Sequence, residues 1–146
     1  MPEYATLDKT LTAMYEVISF PEGSEPDWHR MKSLFHASAR LVRITPEGVE
    51  FFDLPSFQAM SMEMLDRGLY TCFFEVELAR TAQVFGSFAH VLSAYETKRS
   101  PYASSCLTRG VNSIQLLSTS AGWQVLSLMW DEESERNRLE LSQLFK

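Results

Sequence analysis

Basic residues and long apolar runs are both scarce in this sequence of 146 residues. Lysine and arginine number 13 against 19 aspartates and glutamates, which gives a net charge of −6. A protein that binds nucleic acid through the phosphate backbone needs the opposite balance, so we expect no nucleic-acid partner. No apolar run approaches membrane-spanning length, and residues 1–6 lack the features of a signal peptide. We therefore expect a cytoplasmic protein with no membrane partner.

The sequence also contains few residues of the kind that bind metals and cofactors. Its two cysteines, Cys72 and Cys106, lie far apart and lack the CxxC spacing of zinc sites, which favours buried free thiols. Neither a phosphate-binding glycine loop nor a serine nucleophile elbow is present. We expect no metal and no cofactor.

Long runs of strand-forming residues occupy the chain from position 73 to 131. They cover 73–84, 88–98, 106–118 and 123–130, and turn-forming residues separate them at 85–87, 99–105 and 119–122. The first run alternates apolar and polar residues, which is typical of a strand with one buried face. This pattern predicts a curved antiparallel sheet.

The turn lengths predict which side chains share a face of this sheet. A two-residue loop after the first run would place Glu75 and Glu77 with His90, and Ser93 and Tyr95 on the apolar face. A four-residue loop after Ser118 would pair it with Trp123. Asn112, Ile114 and Leu116 would then share a face with Val125 and Ser127, and Leu126, Leu128 and Trp130 would form a second apolar patch on the opposite face.

The first half of the chain has the pattern of helices and short strands. Apolar residues recur at helical spacing from Leu7 to Ile18, and a second helix begins after Ser24 or Asp27 and closes with residues 36–38. Short strands at 39–45 and 49–52 precede a third helix, for which Gly68 is a left-handed cap. The length fits one domain at 1–131, followed by a C-terminal helical tail at 132–146.

Three stretches resemble the nuclear transport factor 2-like superfamily, also described as SnoaL-like or ketosteroid isomerase-like. Residues 27–36 resemble its second helix, residues 85–96 a hairpin of its meander, and residues 121–125 with Trp130 its last strand. The resemblance implies an α+β fold in which a strongly curved, mainly antiparallel mixed sheet wraps around N-terminal helices. The result is a cone with an internal cavity, also called a cystatin-like α+β roll.

The same resemblance implies several functions and excludes one. Its members include isomerases, dehydratases, hydrolases, cyclases and non-catalytic domains, so the fold alone selects none of them. Matched without gaps, the aspartate base of the steroid isomerases falls on Arg43, which does not abstract protons at neutral pH. Their protonated acid falls near Ile114, and only Tyr15 lies close to the position of their tyrosine. Steroid-isomerase chemistry is not expected.

His90 is the candidate catalytic residue, since imidazole titrates near neutral pH and Glu75 or Glu77 could orient it. The alternative is a histidine that is hydrogen-bonded within a subunit interface. Six further residues could offer a polar atom or a ring edge to a ligand from an apolar cavity wall; they are Tyr15, Trp28, Ser93, Tyr95, Asn112 and Ser127.

Three functions remain open from the sequence. The first is a homodimer that pairs through the outer sheet face and binds a small, mostly apolar ligand in its cavity. The second is a cofactor-free enzyme of the isomerase, lyase or hydrolase type that uses a cavity histidine or tyrosine. The third is a protein-interaction module that binds through the sheet or through the tail.

Overall fold

The structure is a computed structural model that describes residues 2–145. It has the predicted order of helices, short strands, a third helix and a long meander, so the α+β class is confirmed. The elements are α1 Leu7–Ile18, α2 Trp28–Leu34, β1 Phe35–Thr45, β2 Gly48–Phe52, α3 Leu54–Asp66, β3 Phe74–Phe85, β4 Phe88–Lys98, β5 Thr108–Thr119, β6 Gly122–Glu132 and α4 Leu141–Leu144. None of the helices in this part of the chain has the length and hydrophobicity needed to span a bilayer.

Side-chain caps fix where the three main helices begin. Thr6 accepts a hydrogen bond from the Lys9 amide at α1, and Asp27 caps α2. Asp53 and Ser56 form a reciprocal capping box at α3. One boundary was predicted wrongly, because α2 ends at Leu34 and residues 36–38 already belong to β1.

The six strands form one sheet in the order β2-β1-β6-β5-β4-β3. β1 runs parallel to β6, and all other neighbours are antiparallel, which confirms the mixed, mainly antiparallel sheet. α1 and α2 pack on its concave face, where Leu11, Leu34, Val91, Ile114 and Val125 are fully buried. The hydrophobic core therefore lies between these helices and the meander strands.

A bulge in β3 changes which residues face the helices. The turn at Gly86 and Ser87 has two residues, as predicted, and pairs Phe85 with Phe88. The register then shifts between Glu77 and Ala79, because Leu78 is an extra residue on β3. One extra residue moves every side chain beyond it to the other face. Glu75 and Glu77 therefore share the concave face with Thr97 and Tyr95, and their predicted placement beside His90 was wrong.

A second bulge has the same effect in β6. Ser118 pairs with Trp123 as predicted, but Leu126 is an extra residue between Val125 and Ser127. Beyond it Ile114 pairs with Leu128, and Asn112 with Trp130. Leu128 and Trp130 therefore face the helices, and the outer apolar patch predicted around them does not exist in that form.

The tail after β6 contains little helix. Residues 133–140 are irregular, and α4 is a single turn. Arg109 of β5 holds this segment, because its guanidinium contacts the Glu133 carboxylate at 3.0 Å and the Leu139 carbonyl at 2.9 Å. The segment thus packs against the sheet beside β5.

Candidate functional site

A cavity of about 320 Å³ lies between the concave face of the sheet and the helices α1, α2 and α3. Its wall is mostly apolar, and its polar side chains come mainly from the strands. The lining residues are Met14, Val17, Ile18, Phe20, Pro26, Met31, Phe35, Leu41, Arg43, Phe57, Met60, Ser61, Met64, Tyr70, Cys72, Phe73, Glu75, Tyr95, Thr97, Leu107, Thr108, Asn112, Leu128, Trp130 and Glu132. A concave apolar wall with few polar groups is typical of a small-molecule site.

The Glu75 carboxyl lines this cavity near the start of β3. Its backbone amide donates to the Ser19 hydroxyl at 3.1 Å, which joins β3 to the end of α1. Burial raises the pKa of Glu75 from 4.5 to about 7, the nearby Asn112 amide opposes that rise, and the Glu132 charge adds to it. Near neutral pH the carboxyl is therefore present in both protonation states.

Tyr95 lines the cavity on the strand next to Glu75. Burial raises the pKa of Tyr95 well above its usual value of 10.0, and the Glu75 and Glu132 charges add to the effect. Its side chain stays a neutral hydroxyl at physiological pH and can donate a hydrogen bond. A Cβ atom at Gly110 would come within 2.5 Å of the Tyr95 hydroxyl oxygen, so this glycine leaves the room that the ring occupies.

A chain of hydrogen bonds lies behind the cavity wall. The Asn112 side-chain nitrogen donates to the Tyr15 hydroxyl at 3.1 Å, and the Tyr15 and Ser93 hydroxyls lie 2.5 Å apart. Ser93 also donates to Glu77, which contacts Arg80 at 2.7 Å. Asn112, Tyr15 and Ser93 are all buried. This chain links a residue that lines the cavity to an ion pair near the surface.

Arg43, Tyr70 and Ser61 supply further polar groups to the lining. Arg43 lies 3.6 Å from Glu50 of β2, so its charge has a partner on the neighbouring strand. Burial raises the pKa of Tyr70, and a hydrogen bond with Ser61 opposes the rise. The cavity therefore has a cationic side chain in its wall as well as two carboxylates.

The predicted cavity residues occupy three different environments. Tyr95 and Asn112 line the cavity, and Tyr15 and Ser93 lie directly behind Asn112. Trp28 is buried between α2 and α3, where its ring nitrogen lies 3.3 Å from the Met62 sulfur and its ring packs edge-on against Phe57. Ser127 lies on the outer face, because of the β6 bulge, and donates to Gln115 at 3.0 Å.

His90 lies on the outer face of the sheet, opposite the cavity. It pairs with Gln83 of β3 and Gln115 of β5, and its ring nitrogen lies 3.1 Å from the Ser113 hydroxyl. The sheet separates the ring from any molecule in the cavity. A catalytic role for His90 in the cavity therefore has no geometric basis, whereas the interface alternative remains open.

Glu75 and Glu132 are the cavity residues that the sequence placed elsewhere, Glu75 on the face with His90 and Glu132 in the tail. Acids that alternate with apolar residues on a strand usually lie opposite the buried face, where Glu75 was predicted beside His90. Glu132 was assigned to the tail, but β6 extends to it and pairs it with Gly110. Within residues 2–145, no cluster of three histidine, cysteine or acidic side chains has the arrangement of a metal site.

Comparison with known proteins identifies the fold. No protein-family model matches the chain, and no curated protein is similar to it in sequence. A nuclear transport factor 2-like protein of unknown function from Silicibacter pomeroyi is 17% identical with a TM-score of 0.61, over 88% of this chain and 94% of that one. A protein of unknown function with a cystatin-like fold from Nostoc punctiforme is 12% identical with a TM-score of 0.64, over 89% and 95%.

A third similar structure has a proposed activity. It is the proposed dehydratase of the nuclear transport factor 2-like family from Streptomyces avermitilis, which is 14% identical with a TM-score of 0.62, over 87% of this chain and 93% of that one. At these identities the likeness shows the shared fold alone. The fold that the sequence resemblance implied is thereby confirmed.

Proposed function

We propose that this chain, which has the nuclear transport factor 2-like fold, binds a small, mostly apolar molecule in its cavity and transfers a proton on it through Glu75. One observation carries the proposal: a carboxyl whose pKa is raised to about 7 lines a mostly apolar cavity. A general base is most effective when its pKa lies near the working pH. Glu75 meets that condition without a cofactor.

The cavity limits the size and polarity of the ligand. Its volume of about 320 Å³ equals that of about eleven water molecules, at roughly 30 Å³ each. A compound with one ring or two small fused rings fits this space. The apolar wall favours a ligand with few polar atoms, and the polar end at Glu75, Tyr95 and Asn112 favours one oxygen or another acceptor beside the reacting carbon.

The proposed step needs only residues of this chain. The Glu75 carboxylate takes a proton from a carbon of the ligand, and the electron pair of that bond delocalises onto a neighbouring oxygen. In this proposal the Tyr95 hydroxyl donates a hydrogen bond to that oxygen as its charge develops. The protonated Glu75 then returns the proton to another carbon or to a leaving group. Dehydration starts with the same proton removal, so the proposed activity of the Streptomyces avermitilis structure is compatible with this step.

Binding without chemistry is the second candidate, and the apolar wall favours it. Most lining residues can only pack against a ligand, and the apolar surface they cover contributes about 25 cal/mol per Å². The two candidates differ in what the protein does to a bound probe. A receptor binds the probe and leaves it intact, whereas a proton-transfer enzyme converts it.

The test uses 5-nitrobenzisoxazole, a small apolar compound that releases a coloured cyanophenolate when a base removes its ring proton and the N–O bond breaks. We expect the protein to accelerate this opening above the rate in buffer, with a rate that rises through pH 7 as Glu75 ionises. Binding of the probe without acceleration would support the receptor candidate. A rate that does not change between pH 5 and pH 9 would contradict the role of Glu75.

We also propose that two copies of the chain pair through the outer face of the sheet. Over much of four strands this face carries no acidic or basic side chain other than a histidine, although 22% of the whole chain is charged. Loss of charge at the centre of a surface is typical of an interface. The uncharged part of the face, with His90, consists by register of Ala79, Thr81, Gln83, Phe85, Phe88, His90, Leu92, Ala94, Val111, Ser113, Gln115, Leu117, Gln124, Ser127 and Met129, and the charged residues Glu96, Lys98, Arg109 and Asp131 follow it at one end.

A charge at the centre of this face should separate the two copies. Leu92 lies between Thr81 and Ser113, and a two-fold interface would bring the two introduced carboxylates together in Leu92→Glu. Sedimentation at micromolar concentration should give twice 16.7 kDa for the wild type and 16.7 kDa for the variant. Val49→Glu is the matched control, because Val49 is 51% exposed on β2. A monomeric wild type would contradict the dimer.

A further inference from the structure

The hydrogen bonds behind the cavity have a fixed direction, because one end is a carboxylate that can only accept. Arg80 donates to one oxygen of Glu77 through two nitrogens, at 2.9 Å and 2.7 Å. The other Glu77 oxygen receives the Ser93 hydroxyl hydrogen. A serine hydroxyl has a single hydrogen, so Ser93 must accept from its other neighbour, Tyr15.

Because a hydroxyl has only one hydrogen to donate, the directions of the next two hydrogen bonds are also fixed. Tyr15 gives its only hydrogen to Ser93 and must therefore accept from Asn112, whose side-chain nitrogen lies 3.1 Å from the Tyr15 oxygen. That nitrogen carries a second hydrogen, and the amide lies beside the Glu75 carboxyl and opposes the rise of its pKa. The direction of the hydrogen bonds is set at Glu77. It thus decides whether the nitrogen or the oxygen of the Asn112 amide faces Glu75.

We infer that Glu77 is a positioning residue, which acts through Ser93 and Tyr15 to turn the nitrogen of the Asn112 amide toward Glu75. This inference rests on the proposed function, because Glu75 is the group that it serves. An amide nitrogen beside the carboxylate stabilises its charged, proton-accepting form. An amide oxygen in the same place would repel that form and accept a hydrogen bond from the protonated acid.

Replacing Glu77 with glutamine should reverse the direction of every hydrogen bond from Ser93 to Asn112. Arg80 can only donate, so the oxygen of the introduced amide must stay with Arg80 and its nitrogen must face Ser93. Ser93 accepts from that nitrogen, so its own hydrogen is bonded only if Tyr15 accepts it, and Tyr15 then gives its hydrogen to Asn112. The Asn112 amide must turn to offer its oxygen, and Glu75 loses a donor.

The sign of the effect separates this mechanism from simple electrostatics. The groups that face Glu75 are Tyr15 of α1, Tyr95 of β4, Asn112 of β5 and Glu132 of β6. Removal of the Glu77 charge alone would reduce repulsion and lower the titration midpoint of Glu75. Reversal of the hydrogen bonds should instead raise the titration midpoint of Glu75 by about one pH unit, as expected for the loss of one hydrogen bond to a charged group.

The experiment is a ¹³C NMR titration of the Glu75 carboxyl in wild type and in Glu77→Gln. We expect a higher midpoint in Glu77→Gln. When the same substitution is made together with Tyr15→Phe, which removes the hydroxyl between Ser93 and Asn112, we expect a lower or unchanged midpoint. Glu132→Gln serves as the Coulomb control and should lower the midpoint, because Glu132 raises the Glu75 pKa. A lower or unchanged midpoint in Glu77→Gln alone would overturn the inference.

A second variant tests the hydrogen-bond chain while the Glu77 charge stays in place. Ser93→Ala leaves the Tyr15 hydrogen with Asn112 as its remaining partner, so the midpoint should also rise. Ser127→Ala on the outer face is the matched control and should leave it unchanged. An unchanged midpoint in Ser93→Ala would contradict the relay even if Glu77→Gln did not fold. The titration needs no substrate, so an inactive wild type would count against the proposed function and leave this result intact.

Discussion

Replacement of Glu75 by glutamine is expected to slow the opening of 5-nitrobenzisoxazole by about 10²- to 10⁴-fold, the usual cost of removing a general base. Glutamine keeps the size of the side chain but cannot take up a proton. The cavity volume should stay the same, so the probe should bind Glu75→Gln about as well as the wild type. The loss should therefore appear in the rate of the bound probe and not in its affinity.

Glu47→Gln is the control for this loss, because Glu47 lies exposed in the turn between β1 and β2. It should match the wild type at every pH. His90→Asn should also match it, since the sheet separates His90 from the cavity. A Glu75→Gln protein with wild-type turnover would show that another group removes the proton.

The stability of the protein should also depend on pH through Glu75. Its pKa is raised on folding, so the folded state binds the proton more tightly than the unfolded state does. The stability that this tighter proton binding contributes is fully present below pH 4.5 and is lost as pH rises through about 7. Over that range the shift corresponds to about 3 kcal/mol of unfolding free energy before screening, and solvent in the cavity reduces this figure because Glu75 is half-buried.

Urea unfolding of wild type and Glu75→Gln between pH 4 and pH 9 measures this effect. Glutamine never ionises, so Glu75→Gln should gain stability relative to the wild type as pH rises from 4.5 to 7 and keep that gain above it. The two proteins should be closest at pH 4. A constant difference in unfolding free energy across the whole range would mean that Glu75 titrates alike in the folded and unfolded chains.

Local signals in the sequence were sufficient to predict the order of elements. The apolar spacing from Leu7 to Ile18, the cap at Asp27 and the left-handed Gly68 all act within a few residues of the structure they specify. The two-residue turn before Phe88 is local in the same sense. The resemblance to a known superfamily added the arrangement of these elements in space.

The candidate site could not be predicted in the same way, because two extra residues decide it. Leu78 and Leu126 each shift the register of a long strand by one position. A shift of one residue exchanges the two faces of a strand, and nothing in the local alternation of apolar and polar residues marks where it occurs. Glu75 therefore moved from the predicted outer face to the cavity, and Ser127 moved the other way.

Tyr95 and Asn112 were predicted to line the cavity and do so, because they belong to strands whose mutual register has no shift. The residues that pair across an uninterrupted ladder keep the faces that turn length predicts. Glu132 was missed for another reason, since its placement depends on how far β6 continues along β5. That length is set by tertiary pairing with Gly110 and not by the acids around it.

The titration midpoint of the Glu75 carboxyl in the wild-type protein, measured by ¹³C NMR, tests the proposed proton transfer most closely. We expect a midpoint near pH 7, because the carboxyl loses hydration in the cavity and faces the Glu132 charge. A midpoint near 4.5, the value of a solvated glutamate, would contradict the proposed proton transfer.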